Sequence, residues 1–599
     1  MPAADAMVRL LDDADAAVAW GRAAGLADPA GAQRTFAALA ALGVPFDLLG
    51  VIADQLAALL PEVADADRVL VAVERFFAAV RSPLSTAALC DRDPQALATL
   101  VKLFAASPYL AEIVIADTES WEQVRLGQGR PEKREAVAAA LRADVEAVTD
   151  PDDVMRALRR FKRRQTLRIA YGDIIGGQRL ETVVAQISHV ADAIVDAAVW
   201  SAVARLEKQR GVPRGPGGER ATLAAIALGK LGGAELNYSS DIDLVFVYSL
   251  EGRAEGPKPC TNQEFFERAV QEAVRLIGEA TDLGSAYRVD LRLRPHGGVG
   301  PAVTGLAATL DHYDQFGRTW ERQAWVKGRF VGGDEALGKK LLVDLEPWVY
   351  RRWLTRADIS GIKALKRRIE HRAEREGADD RNLKTGRGGI RDVEFTIQFL
   401  QLLSGGDVPQ VRTGNTLEAI RRLAAAGALT DQEREILERT YTLLRTIEHR
   451  LQILSDRQTH ELPSDPVEFA RLASRAGYGT GDAAAERLRH DLASATDLNR
   501  RILDHLLHDA FPDDAAPEPE VDLVLDPEPP PSFVHQVLGG TDSATCLWPI
   551  GRSYRSGRRR CASSRHVAAG TFSPPSHRGS WRRSAARPIP TPRSRTCAA

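Results

Sequence analysis

Two carboxylates one residue apart, Asp241 and Asp243, open an otherwise apolar strand within Gly229-Lys-Leu-Gly-Gly-Ala-Glu-Leu-Asn-Tyr-Ser-Ser-Asp-Ile-Asp-Leu-Val-Phe-Val-Tyr248. Residues i and i+2 of a strand share a face, so both acids point one way while Ile242, Leu244 and Phe246 point the other. A short apolar run, Leu223 to Leu228, comes before it. The order is therefore strand, glycine turn, short helix or loop, acidic strand. Taken alone, Asp-x-Asp also fits a turn cap followed by a solvated strand start. The glycines weigh on the other side: Gly229, Gly232 and Gly233 allow backbone to approach a phosphate, and Lys230, Ser239 and Ser240 supply donors to its oxygens. The spacing is not that of a Walker loop.

A third carboxylate is expected from a later strand, and Tyr287-Arg-Val-Asp-Leu-Arg-Leu-Arg-Pro295 supplies one. Tyr287, Val289, Leu291 and Leu293 alternate with Arg288, Asp290, Arg292 and Arg294, a period of two. By itself this also describes a solvated edge strand. Beside the acidic strand, Asp290 completes a set of three carboxylates, and Arg292 and Arg294 offer forked donors to phosphate oxygens. Hard divalent cations take oxygen ligands and leave positions for phosphate, so magnesium, two ions, is the metal expected on Asp241, Asp243 and Asp290. Phe266, Val270, Val274 and Ile277 recur at helical spacing, predicting a helix across the two strands.

With these residues in view, the sequence resembles a known family. The constellation is similar to that of the DNA polymerase beta-like nucleotidyltransferases, and the longer strings resemble the glutamine synthetase adenylyltransferase/adenylyl-removing enzymes. Besides 229 to 244 and 289 to 295, these are Thr-Trp-Glu-Arg-Gln-Ala-Trp-Val-Lys at 319 to 327, Leu-Lys-Thr-Gly-Arg-Gly-Gly-Ile-Arg-Asp-Val-Glu-Phe at 383 to 395, and Glu-His-Arg-Leu-Gln at 448 to 452. Such a resemblance implies an α+β fold, predominantly helical, with a polymerase beta-like mixed sheet flanked by N-terminal and C-terminal helical lobes.

It also implies a reaction. Enzymes of this family carry two nucleotidyltransferase halves: one removes AMP from a tyrosine of adenylylated glutamine synthetase, taking inorganic phosphate and releasing ADP, and the other adds AMP from ATP. This chain resembles the removing half. No second glycine-rich segment with a Ser-Asp-x-Asp strand follows residue 300, so adenylylation is expected to be missing. The resemblance makes glutamine synthetase the protein substrate, inorganic phosphate the co-substrate, and a PII-type signal protein a further candidate partner. It places Lys384-Thr-Gly-Arg-Gly-Gly-Ile-Arg-Asp392 against the cleft, with Lys384 and Arg391 as contacts to phosphate or to the adenylylated tyrosine loop. By sequence alone that segment is a turn before a helix from Asp392 to Leu403. Two readings stay open beside removal: another protein nucleotidyltransferase, uridylyl- or adenylyl-, and a non-catalytic module that binds glutamine synthetase or PII.

The rest of the body reads as helical. Residues 1–210 form an N-terminal helical lobe whose last helix, from Glu181 to Arg210, stops at Gly211-Val-Pro-Arg-Gly-Pro-Gly-Gly218. Residues 211–355 form the nucleotidyltransferase core, 356–510 a helical bundle lobe, and 511–542 a linker rich in proline and acid. Residues 543–599 are different in kind: positions 551–599 hold 12 Arg, no Lys and no acid. A basic tail suits nucleic acid or anionic lipid; a shifted reading frame accounts better for the loss of all periodicity, and the segment is expected to be disordered.

Charge then limits the partners. The formal net charge of −2 includes those 12 arginines, so residues 1–542 carry −14, which opposes generic polynucleotide binding and suits a protein substrate. No run of about eighteen uncharged apolar residues is present, Met1 to Asp15 lacks a leader pattern, and Cys90 and Cys260 are the only cysteines of the body. These features point to a cytoplasmic protein without membrane or nucleic-acid partners. His449 reads as a packed helical histidine, and His490-Asp491 and His508-Asp509 are too short to carry a metal motif.

Overall fold

The computed structural model describes residues 3–352, 381–454 and 456–506. The expected boundary at 355/356, the 511–542 linker and the 543–599 tail lie outside the described residues. Consecutive short helices lead from Ala3 toward the sheet. Four helices of this region begin with a capping residue and proline, at Ser82-Pro83, Asp93-Pro94, Ser107-Pro108 and Asp150-Pro151, and in each the cap side chain accepts a backbone N–H. Proline sits there without cost because first-turn N–H groups have no helical partner.

Two long helices follow, α1 (Pro151–Ile174) and α2 (Leu180–Arg210). Val183, Ile187, Val190, Ile194, Ala198 and Ala202 are among many buried positions of α2, which is apolar on most of its circumference because it runs through the middle of the packing. One expectation is amended here. By length and composition α2 is apolar enough to cross a membrane, and 67% of its most apolar window is buried inside the fold.

The main sheet contains β1 (Leu223–Ala227), β2 (Asp241–Tyr248), β3 (Arg288–Asp290), β4 (Val303–Gly305) and β5 (Arg329–Gly333). β1 lies antiparallel between β2 and β5, while the other edge of β2 pairs in parallel with β3 at its start and with β4 at its end. The period of two divides the sheet cleanly. Ile242, Leu244 and Phe246 join the large core shared with the N-terminal helices and with α3 (Asn262–Gly278). Val245 and Val247 join a second core with Trp348, Phe395 and Phe399. Asp241 and Asp243, in phase with Val245, therefore sit on the face covered by the C-terminal region.

That region holds α4 (Ile390–Ser404), α5 (Asp431–Ile453) and α6 (Asp482–Asp504) around a core of its own that includes Ile420, Leu437, Leu444 and Leu488. β3 is shorter than the alternation to Leu293 predicts. The Asp290 carboxylate accepts the Arg292 backbone N–H at 2.8 Å, a local turn that competes with continued strand.

Candidate active site

Parallel pairing of β2 with β3 sets Asp241 opposite Arg288 and Asp243 opposite Asp290. Each outer carboxylate has an arginine. Asp241 accepts from Arg288 Nε at 2.5 Å; Asp290 accepts from Arg292 Nη2 at 2.6 Å and Nε at 2.9 Å, which holds it below its ordinary range. Asp243 has no such partner among the described residues. Burial, then Asp290 and Asp241, push its pKa to about 6, with Lys384 and Arg292 opposing from a distance.

Among the described residues no three His, Cys, Asp or Glu side chains stand close enough to hold a metal ion. The chemistry of the donors nevertheless fits a hard cation: three carboxylates come from adjacent strand positions, and their mutual repulsion is what a divalent charge relieves. As the side chains stand, the cations at the outer two are Arg288 and Arg292.

Behind Asp243 lies the glycine turn, one turn of helix from Gly229 to Gly232. Gly229 has φ +55°, and a Cβ there would lie 2.3 Å from Asp243 Oδ2, so this position takes glycine for both conformation and space. Lys230 points back into the protein, with Nζ 3.1 and 3.2 Å from the two oxygens of Glu448. Burial lowers its pKa to about 8 against the pull of Glu448. Lys384 lies near enough to act on both Asp243 and Lys230.

The expected site residues thus separate into two groups. Asp241, Asp243, Asp290, Gly229, Lys230, Arg292 and Lys384 gather around the acid face. Gly232 and Gly233 instead give room to backbone, since added Cβ atoms would meet Lys327 O at 2.0 Å and Gly414 O at 2.6 Å. Ser239 donates its N–H to Gln452 Oε1 and its hydroxyl to Asp456 O, both at 3.2 Å. Arg294 braces its own loop, donating to the carbonyls of Leu291, Gly300 and Pro301 at 2.8 to 2.9 Å. Arg391, second in α4, donates its backbone N–H to Lys384 O at 3.1 Å. Ser240, just before the strand, lines a pocket described below.

Sequence reasoning missed the buried charges beneath this site. Glu448, fully buried, has Lys230 at 3.1 Å, Arg445 at 3.2 Å and His460 at 2.7 Å. Burial alone would raise its pKa, and Lys230, His460 and Arg445 hold it well below the carboxylate range. Arg445 also donates to Glu235 O at 2.6 Å and Asn237 Oδ1 at 2.5 Å. Glu235 in turn pairs with Lys327, whose Nζ is 3.9 Å from Glu394. Lys327, Glu394 and Glu448 each lie in one of the strings that carried the resemblance, and that was the signal available. His449 is the packed histidine expected: it is buried, bonds Asn237 Oδ1 at 3.1 Å, and sits edge-on to Tyr238 at 5.3 Å.

Residues 97–343 match the family model of glutamate-ammonia ligase adenylyltransferase, and residues 363–507 match that of PII-uridylyltransferase. The chain is similar to the bifunctional glutamine synthetase adenylyltransferase/adenylyl-removing enzyme of Burkholderia mallei, at 38% identity over 398 residues, 64% of this chain and 43% of that protein. The enzymes of the same name from Pseudomonas aeruginosa and Thioalkalivibrio sulfidiphilus are 38% and 35% identical, over 72% and 74% of this chain and 45% of each relative. The chain spans somewhat under half the length of these relatives.

Proposed function

Because this chain belongs to the glutamate-ammonia ligase adenylyltransferase family, we propose that it removes AMP from adenylylated glutamine synthetase by phosphorolysis and so takes part in nitrogen regulation. The observation that carries this reading is the register of β2 and β3, which lines up Asp241, Asp243 and Asp290 beside the open turn at Gly229. The sequence contains one Ser-Asp-x-Asp segment, so the proposal is confined to removal and assigns no forward transfer from ATP.

In this reaction an oxygen of inorganic phosphate forms a bond to the phosphorus of tyrosyl-AMP, the bond from phosphorus to the tyrosine oxygen breaks, and the tyrosine oxygen takes up a proton. ADP and unmodified enzyme are the products. Phosphate is already an oxyanion, so positioning and neutralisation account for most of the acceleration, with little need of a base. Magnesium, held by Asp241, Asp243 and Asp290, would supply much of that neutralisation when bound. The protein's own part is to fix those carboxylates, to give up Arg288 and Arg292 from them, and to present Lys384 to phosphate oxygens, while Lys230 ties the Gly229 turn to Glu448 behind the site. Arg292, largely exposed beyond its bond to Asp290, is free to turn toward substrate.

The test is ADP release from adenylylated glutamine synthetase in magnesium and phosphate. We expect Asp243→Asn to lower it by about a thousandfold or more, the scale of a lost charge-stabilising group, with unchanged circular dichroism. Wild-type release by this variant would refute the site. The match of residues 363–507 to the PII-uridylyltransferase model favours one second reading, transfer of UMP to a PII-type protein; labelled UTP with that acceptor distinguishes it.

A further inference from the structure

Beside the strand start, and lined by none of the three acids, a pocket of about 400 Å³ opens between α1, the residues before β3 and the loop after α5. Five basic residues and one carboxylate, Asp456, face it. Their bonding is uneven. Arg159 is saturated by carbonyls, among them Gly284, Met155 and Leu276 at 2.7 to 2.9 Å. Lys162, only 8% exposed, has its ammonium 4.7 Å from the centre of the Tyr287 ring and 4.0 Å from Asp456. No hydrogen bond from it is present among the described residues, and the same is true of Arg163, Arg457 and the Ser240 hydroxyl.

Burial pushes the Lys162 pKa down, Asp456 opposes this, and Arg288 and Arg159 add to it. A buried ammonium among like charges, with one distant carboxylate, is short of counter-charge. Among these cations Arg288 also serves the acid face, through its 2.5 Å bond to Asp241.

We propose that this pocket binds a phosphate group, free or carried on a small molecule of up to mononucleotide size, at a site separate from the three carboxylates. A phosphate group carries up to two charges and several acceptor oxygens, which matches an ammonium, two open guanidinium groups and a serine hydroxyl better than a single carboxylate does. The charge of −14 on residues 1–542 turns away long polyanions while leaving room for a local basic pocket. Arg288 links the pocket to the acid face: an anion here competes with Asp241 for one guanidinium, so occupancy of either side alters the other, and the linkage is reciprocal. The inference does not depend on phosphorolysis.

Titration calorimetry on the full chain in EDTA, with inorganic phosphate, AMP and ADP as separate probes, tests it. At least one probe is expected to bind one to one, with Lys162→Gln and Arg457→Gln each weakening it by about tenfold or more and Asp243→Asn leaving it unchanged. Phosphate binding alone would identify a co-substrate store; AMP or ADP binding would identify a nucleotide site. No heat from any probe at millimolar concentration, indifference to both basic substitutions, or loss of binding in Asp243→Asn would overturn the proposal. Arg457, less buried than Lys162, decides the matter should Lys162→Gln melt early. Binding that survives where ADP release is absent in wild type would uphold this site and refute the proposed reaction.

Discussion

Asp243 is destabilising where it stands. Its pKa moves from 3.8 to about 6 through burial and the carboxylates of Asp290 and Asp241, so between these values the folded protein binds more protons than the unfolded chain. Stability from this group therefore falls as pH rises through that window, and at pH 7 the whole penalty is present. Asp243→Asn should raise stability at pH 7 in EDTA by about 1–2 kcal/mol while abolishing the proposed activity. Urea melts at pH 7 and pH 4 check this: the gain should vanish at the lower pH, where wild-type Asp243 is protonated too. A pH-independent or negative effect would mean that the three acids do not repel one another in solution. Gly229 belongs to the same arrangement, since its missing side chain leaves the space that Asp243 Oδ2 occupies.

At the scale of elements, the one-turn helix from Gly229 to Gly232 is tied to α5 by Lys230 and Glu448. Glu448 serves two cations and has His460 Nδ1 at 2.7 Å as well, whereas Lys230 answers mainly to one acid, so their removal is not equivalent. Glu448→Gln should lower stability by about 3 kcal/mol, because Lys230 and Arg445 lose a buried counter-charge together. Lys230→Met should be milder for the fold, since Glu448 keeps two partners, yet it should lower ADP release, because the Gly229 turn loses its tie to α5. Equal effects on stability would show that the network is not centred on Glu448. Alternation made β1, β2 and the acid face legible in the sequence, and helical spacing made α3 legible from four residues. Glu448 was not legible as the partner of Lys230, because the two are 218 positions apart and burial leaves no local pattern in a charged helix. β3 was read too long for a different reason: Asp290 folds back on the Arg292 N–H, and side-chain competition with a strand does not alter apolar periodicity.

Across the whole molecule, the sheet is gripped on its two faces by different helices, and polar links run between them, among them Glu181 with Arg421 and Asp65 with Arg471. Asp173 of α1 accepts from Arg450 of α5 at 2.6 and 2.8 Å and from the Tyr238 hydroxyl at 3.0 Å. Ser107 donates to Ile453 O at 2.5 Å. These bonds join the N-terminal helices to a region that otherwise has a core of its own, and a region with its own core can unfold separately when its ties are cut. Residues 381–506 contain no tryptophan, which gives a direct measure of this. Fluorescence is silent on that region, whereas far-ultraviolet circular dichroism reports its helices. In the wild type the two probes should give one coincident urea transition. Arg450→Met leaves Asp173 buried without its cation, at a cost of about 3 kcal/mol, and the dichroism midpoint should then fall ahead of the fluorescence midpoint as α4 to α6 loosen first. Separation of the probes already in the wild type would mean that Asp173, Arg450 and Tyr238 do not couple the regions; coincidence in Arg450→Met would mean that the apolar contacts of α4 on the sheet, through Phe395 and Phe399, suffice without them.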